Sequence, residues 1–239
     1  MRAECTRRNL LHQSLLAGSA LLVSERSFGT PPKAAKASEP EVTATEDLMR
    51  EHGVIRRALL VYAESIPRLR QNAEGVDSAA LHRTAQLFRT FGEDYHERML
   101  EEQHIFPTVR KMDSKLSHYA DILIEQHGRG REITDYVLSV TQGKKIGALH
   151  AEPLARVFEG FVRMYENHAA REDTVIFPAW KKNFGNKQLD ELSDQFEEIE
   201  HRMFGKDGFE DAEKTISSIE SSLGLADLGQ FTPPHPPKP

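Results

Sequence analysis

The stretch from Tyr165 to Lys182, YENHAAREDTVIFPAWKK, has a near-copy upstream, YHERMLEEQHIFPTVRK from Tyr95 to Lys111. The two Ile-Phe-Pro triplets lie 71 residues apart, and a Glu stands five residues before each Phe: Glu101 before Phe106, Glu172 before Phe177. A His precedes each Glu, His96 in the first copy and His168 in the second. His168 and Glu172 are an i,i+4 pair, so one helical face carries an imidazole above a carboxylate. That is how a helix offers two ligands to one ion. A single His-x-x-x-Glu is common among solvated surface neighbours. Two copies in one frame against the same Phe-Pro constrain the chain to a repeated, helical, metal-binding design.

The remainder reads as helices with short breaks. The first spans about 43–69, with Leu48, His52, Ile55, Leu59 and Ile66 on one stripe. The second, about 78–112, carries Leu81, Ala85, Phe88 and Phe91 into His96. The third, about 115–140, has His127 at its middle, and the fourth, about 152–182, leads through Phe158, Phe161 and Tyr165 to His168. A fifth is expected near 187–204, a shorter sixth near 210–223, and no alternating strand pattern is present. The fold class is therefore all-α: an up-down-up-down four-helix bundle over 38–206, followed by a C-terminal helix and proline-rich tail over 207–239.

Each bundle helix offers one central His on or beside its apolar stripe: His52, His96, His127 and His168. Any one of them alone reads as an ordinary hydrogen-bonded histidine. Four at similar depth beside two carboxylates favour a shared metal site, because burying those groups without a cation costs several kcal/mol per charge, roughly, before pairing. The only Cys is Cys5, so any ion must be held by His and carboxylate.

These motifs resemble the hemerythrin-like, or HHE cation-binding, family over roughly 48–204. They are Arg50-Glu51-His52, His96 with Glu101-Glu102 and Ile-Phe-Pro, Gln126-His127, and His168-x-x-x-Glu172 with Ile-Phe-Pro. The resemblance implies a non-haem di-iron centre of two Fe ions held by His52, His96, Glu101, His127, His168 and Glu172, with two carboxylates bridging the ions. Glu101, which shares with Glu172 the five-residue offset to Phe-Pro, is expected to bridge rather than Glu102, which matches Asp173. The chain departs from the family twice. Where the oxygen carriers have a second His on the third helix, this chain has Arg131, which cannot ligate and would place positive charge near the mouth. The His96–Glu101 spacing is five, which on a regular helix points the two about 140° apart, at about 100° per residue. A π-bulge would restore the pairing. Glu102 and Asp173, each one residue past a ligand, read as capping or solvated groups, and Tyr95 and Tyr165 as core.

The resemblance implies binding of oxygen or a related small molecule such as nitric oxide, as carrier, sensor or scavenger. The alternatives are a di-iron oxidoreductase acting on peroxide, oxygen or nitric oxide, and an iron-handling or interaction module. The expected partner is a small diatomic ligand or peroxide. Thr6-Arg7-Arg8-Asn9-Leu10-Leu11 ahead of the apolar run from Leu15 to Val23 resembles a twin-arginine export signal within 1–37, which implies a periplasmic location. Cleavage after Ala37 would remove six basic and two acidic residues, leaving a net charge of −10. That charge argues against a nucleic-acid partner, and no later segment reaches membrane-spanning length.

Overall fold

Thr43 caps the first helix, its hydroxyl accepting from Glu46 N–H, and the helix α1 runs Ala44–Asn72. Asp77 caps the second at Ala80 N–H, and α2 begins as Ser78–Leu87, continues with π winding over Phe88–Ile105 and ends as Phe106–Val109. Asp113 caps α3, Ser114–Val140, by accepting from Lys115 and Leu116 N–H. The fourth, α4, is Ala148–Arg171, a π turn Glu172–Ile176, then Phe177–Lys181. Replacing one such capping side chain by Ala costs about 1 kcal/mol. Gly205 and Gly224 end the last two helices, α5 (Asn186–Phe204) and α6 (Gly208–Leu223), at φ 70° and 72°. That left-handed conformation is one that glycine adopts without a Cβ penalty.

This computed structural model describes residues 42–237, and from Thr43 onward they form one unit. The expected export segment at 1–37 lies outside the described residues. The architecture is all-α, with no strand among the described residues. The neighbours α1 and α4 pack along their lengths, α3 packs on α2 and α4, and α5 and α6 lie against α1 and α2. Between the four bundle helices the core is aromatic. The ring of Tyr62 stacks on Phe158 at 4.4 Å, and Phe161 meets Phe88 at 4.9 Å and Tyr165 at 4.8 Å. Each such buried side chain contributes roughly 1.5–3 kcal/mol.

The added helices are fastened to the bundle by charge as well as packing. Arg57 of α1 donates to Glu220 at 3.0 Å, Glu213 at 3.0 Å and Ser217 at 2.7 Å, all on α6. Phe204 of α5 meets the Tyr95 ring edge-on at 5.3 Å, and Phe196 stacks with Trp180 at 6.2 Å. No helix among the described residues is long and apolar enough to cross a membrane.

Candidate metal centre

The structure brings all six expected ligands together in the middle of the bundle. His52 comes from α1, His96 and Glu101 from α2, His127 from α3, and His168 and Glu172 from α4. None is more than 3% exposed. They divide into two pairs of imidazoles: His52 and His96 meet through their Nε2 atoms at 3.0 Å, and His127 and His168 at 3.1 Å. Each carboxylate spans both pairs. Glu101 reaches His96 with Oε1 and His127 with Oε2, both at 3.3 Å. Glu172 reaches His168 with Oε1 at 3.0 Å and His52 with Oε2 at 3.4 Å.

Local winding makes this possible. With bonds to the fifth residue back, as in the π segment of α2, residues i and i+5 come onto one face, and His96 and Glu101 meet. The winding extends well beyond the single inserted residue that the spacing requires. A second, unanticipated π turn follows Glu172. In both copies the Phe N–H donates to the Glu carbonyl five residues back, Phe106 to Glu101 and Phe177 to Glu172. Pro107 and Pro178 then fall in the first turn of a new α-helical segment, where a missing N–H costs nothing. The repeated Phe-Pro thus marks where each helix resets its register directly after an expected ligand.

The other nitrogen of every imidazole is also engaged, in a closed circuit around the bundle. Glu51 of α1 accepts from His96 Nδ1 at 2.7 Å, and Glu102 of α2 accepts from His127 Nδ1 at 2.9 Å. Gln126 of α3 accepts from His168 Nδ1 at 2.9 Å, and Asp173 of α4 accepts from His52 Nδ1 at 2.7 Å. Each acceptor sits beside an expected ligand in sequence (Glu51-His52, Glu101-Glu102, Gln126-His127, Glu172-Asp173) and serves the next helix. Glu102 and Asp173 are therefore not solvated caps. Side chains one residue past an inward-facing ligand turn about 100°, toward the neighbouring helix, and adjacency to a ligand was the signal available in the sequence.

The residues fit a cation. With Nδ1–H donated to an oxygen, each Nε2 presents a bare lone pair, and two such lone pairs 3.0 Å apart repel unless an ion or proton lies between them. All four carboxylate oxygens of Glu101 and Glu172 are buried without a regular hydrogen-bond donor, the condition that costs most in an apolar interior. Neighbouring ligands on bonds of about 2.1 Å at right angles lie about 3.0 Å apart; the spacings here run from 3.0 to 3.4 Å. Among the described residues three overlapping groups arise: Glu101, His127, His168 and Glu172; His52, His96 and Glu101; and, on the outer side of His127, Glu97 and Glu102 with that imidazole.

Without a cation the cluster holds protons. Burial opposes charge on His127, but Glu97, Glu101 and Glu102 outweigh it and push its pKa up to about 10. His52 and His96 also stand above the ordinary imidazole value against the opposing effect of burial, His52 through its hydrogen bond to Asp173 and the nearby Glu172 carboxylate, His96 through Glu101 and Glu51. Burial alone would raise Glu172 and Glu101. The surrounding imidazoles, His168 first for Glu172 and His96 first for Glu101, hold both below the ordinary carboxylate range.

A cavity of about 10 Å³ touches His52, His96 and His168 and is bounded by Ile55, Ala169, Glu97 and Tyr165, room for about one water-sized body. Its polar wall escaped sequence reasoning. Glu97 Oε1 accepts from the Tyr165 hydroxyl at 2.6 Å, and burial pushes the Glu97 pKa up to about 7. Gly130 makes room for this contact, since a Cβ there would lie 2.1 Å from the Tyr165 oxygen. Arg131 is turned to Glu97 at 3.3 Å and to Glu102. Its charge is thus matched by carboxylates and is not free at the mouth, as its place in the sequence suggested. Tyr95 donates to Glu51 at 3.1 Å and so belongs to the circuit as well.

The family model of the hemerythrin HHE cation binding domain matches residues 43–180. Uncharacterized proteins of Mycobacterium tuberculosis and Mycobacterium bovis are 42% identical over 235 residues, covering 95% of this chain and 91% of theirs. No solved structure matches.

Proposed function

The chain belongs to the hemerythrin HHE cation-binding family, and on that premise we propose that it holds two irons and binds dioxygen or nitric oxide there as a carrier, sensor or scavenger. The observation that carries this reading is the pairing of four bare Nε2 atoms, 3.0 and 3.1 Å apart, across two carboxylates that each reach both pairs. A sulfur-free donor set of imidazole and carboxylate suits iron. Six residues supply eight of about twelve positions on two six-coordinate ions, leaving space for solvent oxygen and a small ligand beside the cavity.

One observation favours a second reading, an oxidoreductase consuming peroxide, oxygen or nitric oxide. The cavity wall is a hydrogen-bonded phenol and carboxylate, Tyr165 and Glu97, and Arg131 stands where the oxygen carriers place another His. Protein purified without a His-tag should carry about two irons per chain, well above zinc. One zinc, or no metal after growth in ample iron, would sink the di-iron reading. Mixing the reduced protein with oxygen in a stopped-flow instrument separates the two functions. A reversible spectrum lasting minutes means binding; rapid, irreversible oxidation means turnover.

Export is part of the proposal, supported by Arg7-Arg8 and the apolar run after it, a signal that carries folded, cofactor-loaded protein. Changing both arginines to lysine should leave uncleaved precursor in the cytoplasm on fractionation. Unimpaired export of the double variant would point to the ordinary secretory route instead.

A further inference from the structure

The circuit of hydrogen bonds behind the four imidazoles has one member unlike the rest. His52, His96 and His127 donate to carboxylates, Asp173, Glu51 and Glu102, whereas His168 donates to the amide oxygen of Gln126. A carboxylate behind an imidazole draws its Nδ1 proton outward and makes Nε2 a stronger donor to a metal, and partners of this kind change metal affinity by about 10–100-fold. A neutral amide orients the ring and polarises it much less.

The inventory of ionisable side chains does not separate the two positions. Around His52 and His96 stand Glu51 and Asp173, with Arg56 paired to Asp173. Around His127 and His168 stand Glu97 and Glu102, with Arg131 paired to both. Among the described residues each side carries two acidic side chains and one guanidinium. Glu101 and Glu172 serve both sides alike. The difference that survives is hydrogen bonding: two carboxylate acceptors at 2.7 Å on one side, one of them shared with Arg56, against one carboxylate shared with Arg131 and one amide, both at 2.9 Å, on the other.

Resting on the two-metal reading above, we infer that the positions are unequal: the ion between His127 and His168 is held more weakly than the ion between His52 and His96, and Gln126 sets the difference. The centre would then have one resident and one exchangeable metal.

Anaerobic calorimetric titration of the metal-free full-length protein with Co(II) tests this. Two steps of one equivalent each are expected, separated by about tenfold or more. Gln126→Glu should tighten the weaker step by about tenfold and leave the stronger within about twofold. Glu51→Gln, which keeps the acceptor oxygen but removes its charge, should weaken the stronger step by about tenfold and narrow the gap. Two equivalents of equal affinity, or a Gln126→Glu effect on the stronger step, would overturn the inference and leave the two-metal reading standing. A total below two equivalents would overturn that reading and the inference with it.

Discussion

Reloaded with ferrous iron after metal removal, Glu101→Ala should retain at most one iron per chain, against about two for the parent. Glu101 reaches His96 with one oxygen and His127 with the other, so its removal takes a ligand from both positions at once. The residual set is four imidazoles and Glu172, enough for one well-held ion. Glu172→Ala should behave alike, because Glu172 spans the other two histidines in the same way. Glu102→Ala should differ in kind. Glu102 lies behind His127 at Nδ1, so its loss should lower affinity by about 10–100-fold and still permit two irons at saturating metal. Iron per chain after gel filtration, with circular dichroism to confirm the helices, distinguishes these outcomes. Two irons in Glu101→Ala and one in Glu102→Ala would reverse the roles assigned to the two carboxylates.

The legible part of this centre was the part written in periodicity. Leu48, His52, Ile55 and Leu59 share a stripe because α1 is regular, and the helix limits read from such stripes lie within a few residues of those observed. The extra residue between His96 and Glu101 announced non-standard winding. The extent of that winding was not legible, because whether an N–H bonds the fourth or the fifth carbonyl back is decided by packing along the whole of Phe88–Ile105. The second π turn, Glu172–Ile176, left no trace in spacing, since it follows the His168–Glu172 pair and does not interrupt it. The outer partners were hidden for another reason. Asp173 and Glu102 face neither core nor open solvent but the adjacent helix, and which helix is adjacent depends on the bundle's topology. Glu97 occupies the place in its copy that His168 occupies in the other, 71 residues on. That correspondence was available, yet only the fold shows Tyr165 and Arg131 meeting it.

Removing the metal should invert the pH dependence of stability. In the metal-free protein His127 has its pKa pushed up to about 10, and His52 and His96 are raised as well. A folded-state value above the unfolded one means stability present in full below the ordinary imidazole value of about 6.5 and lost as pH rises through the folded value. Glu97, pushed up to about 7 by burial, acts in the same direction from the carboxylate range upward. Glu101 and Glu172 are depressed and act oppositely, contributing above about pH 4.5 and failing as pH falls. The metal-free bundle should therefore be most stable between about pH 4.5 and 6.5 and lose a few kcal/mol, roughly, by pH 9. In a domain of this size that corresponds to about 10 °C in Tm. A bound cation takes the place of those protons, so the loaded protein should keep its stability on the alkaline side and weaken on acidification as protons compete for the same atoms. Thermal melts of loaded and chelated protein from pH 5 to pH 9 should diverge steadily as pH rises. Metal uptake near neutrality should release protons, seen as a binding enthalpy that changes with the buffer's heat of ionisation. A metal-free protein whose Tm holds level or climbs from pH 6 to pH 9, with no proton release on loading, would mean that His52, His96 and His127 are already neutral without metal. The paired lone pairs at 3.0 and 3.1 Å would then have to move apart in the metal-free protein.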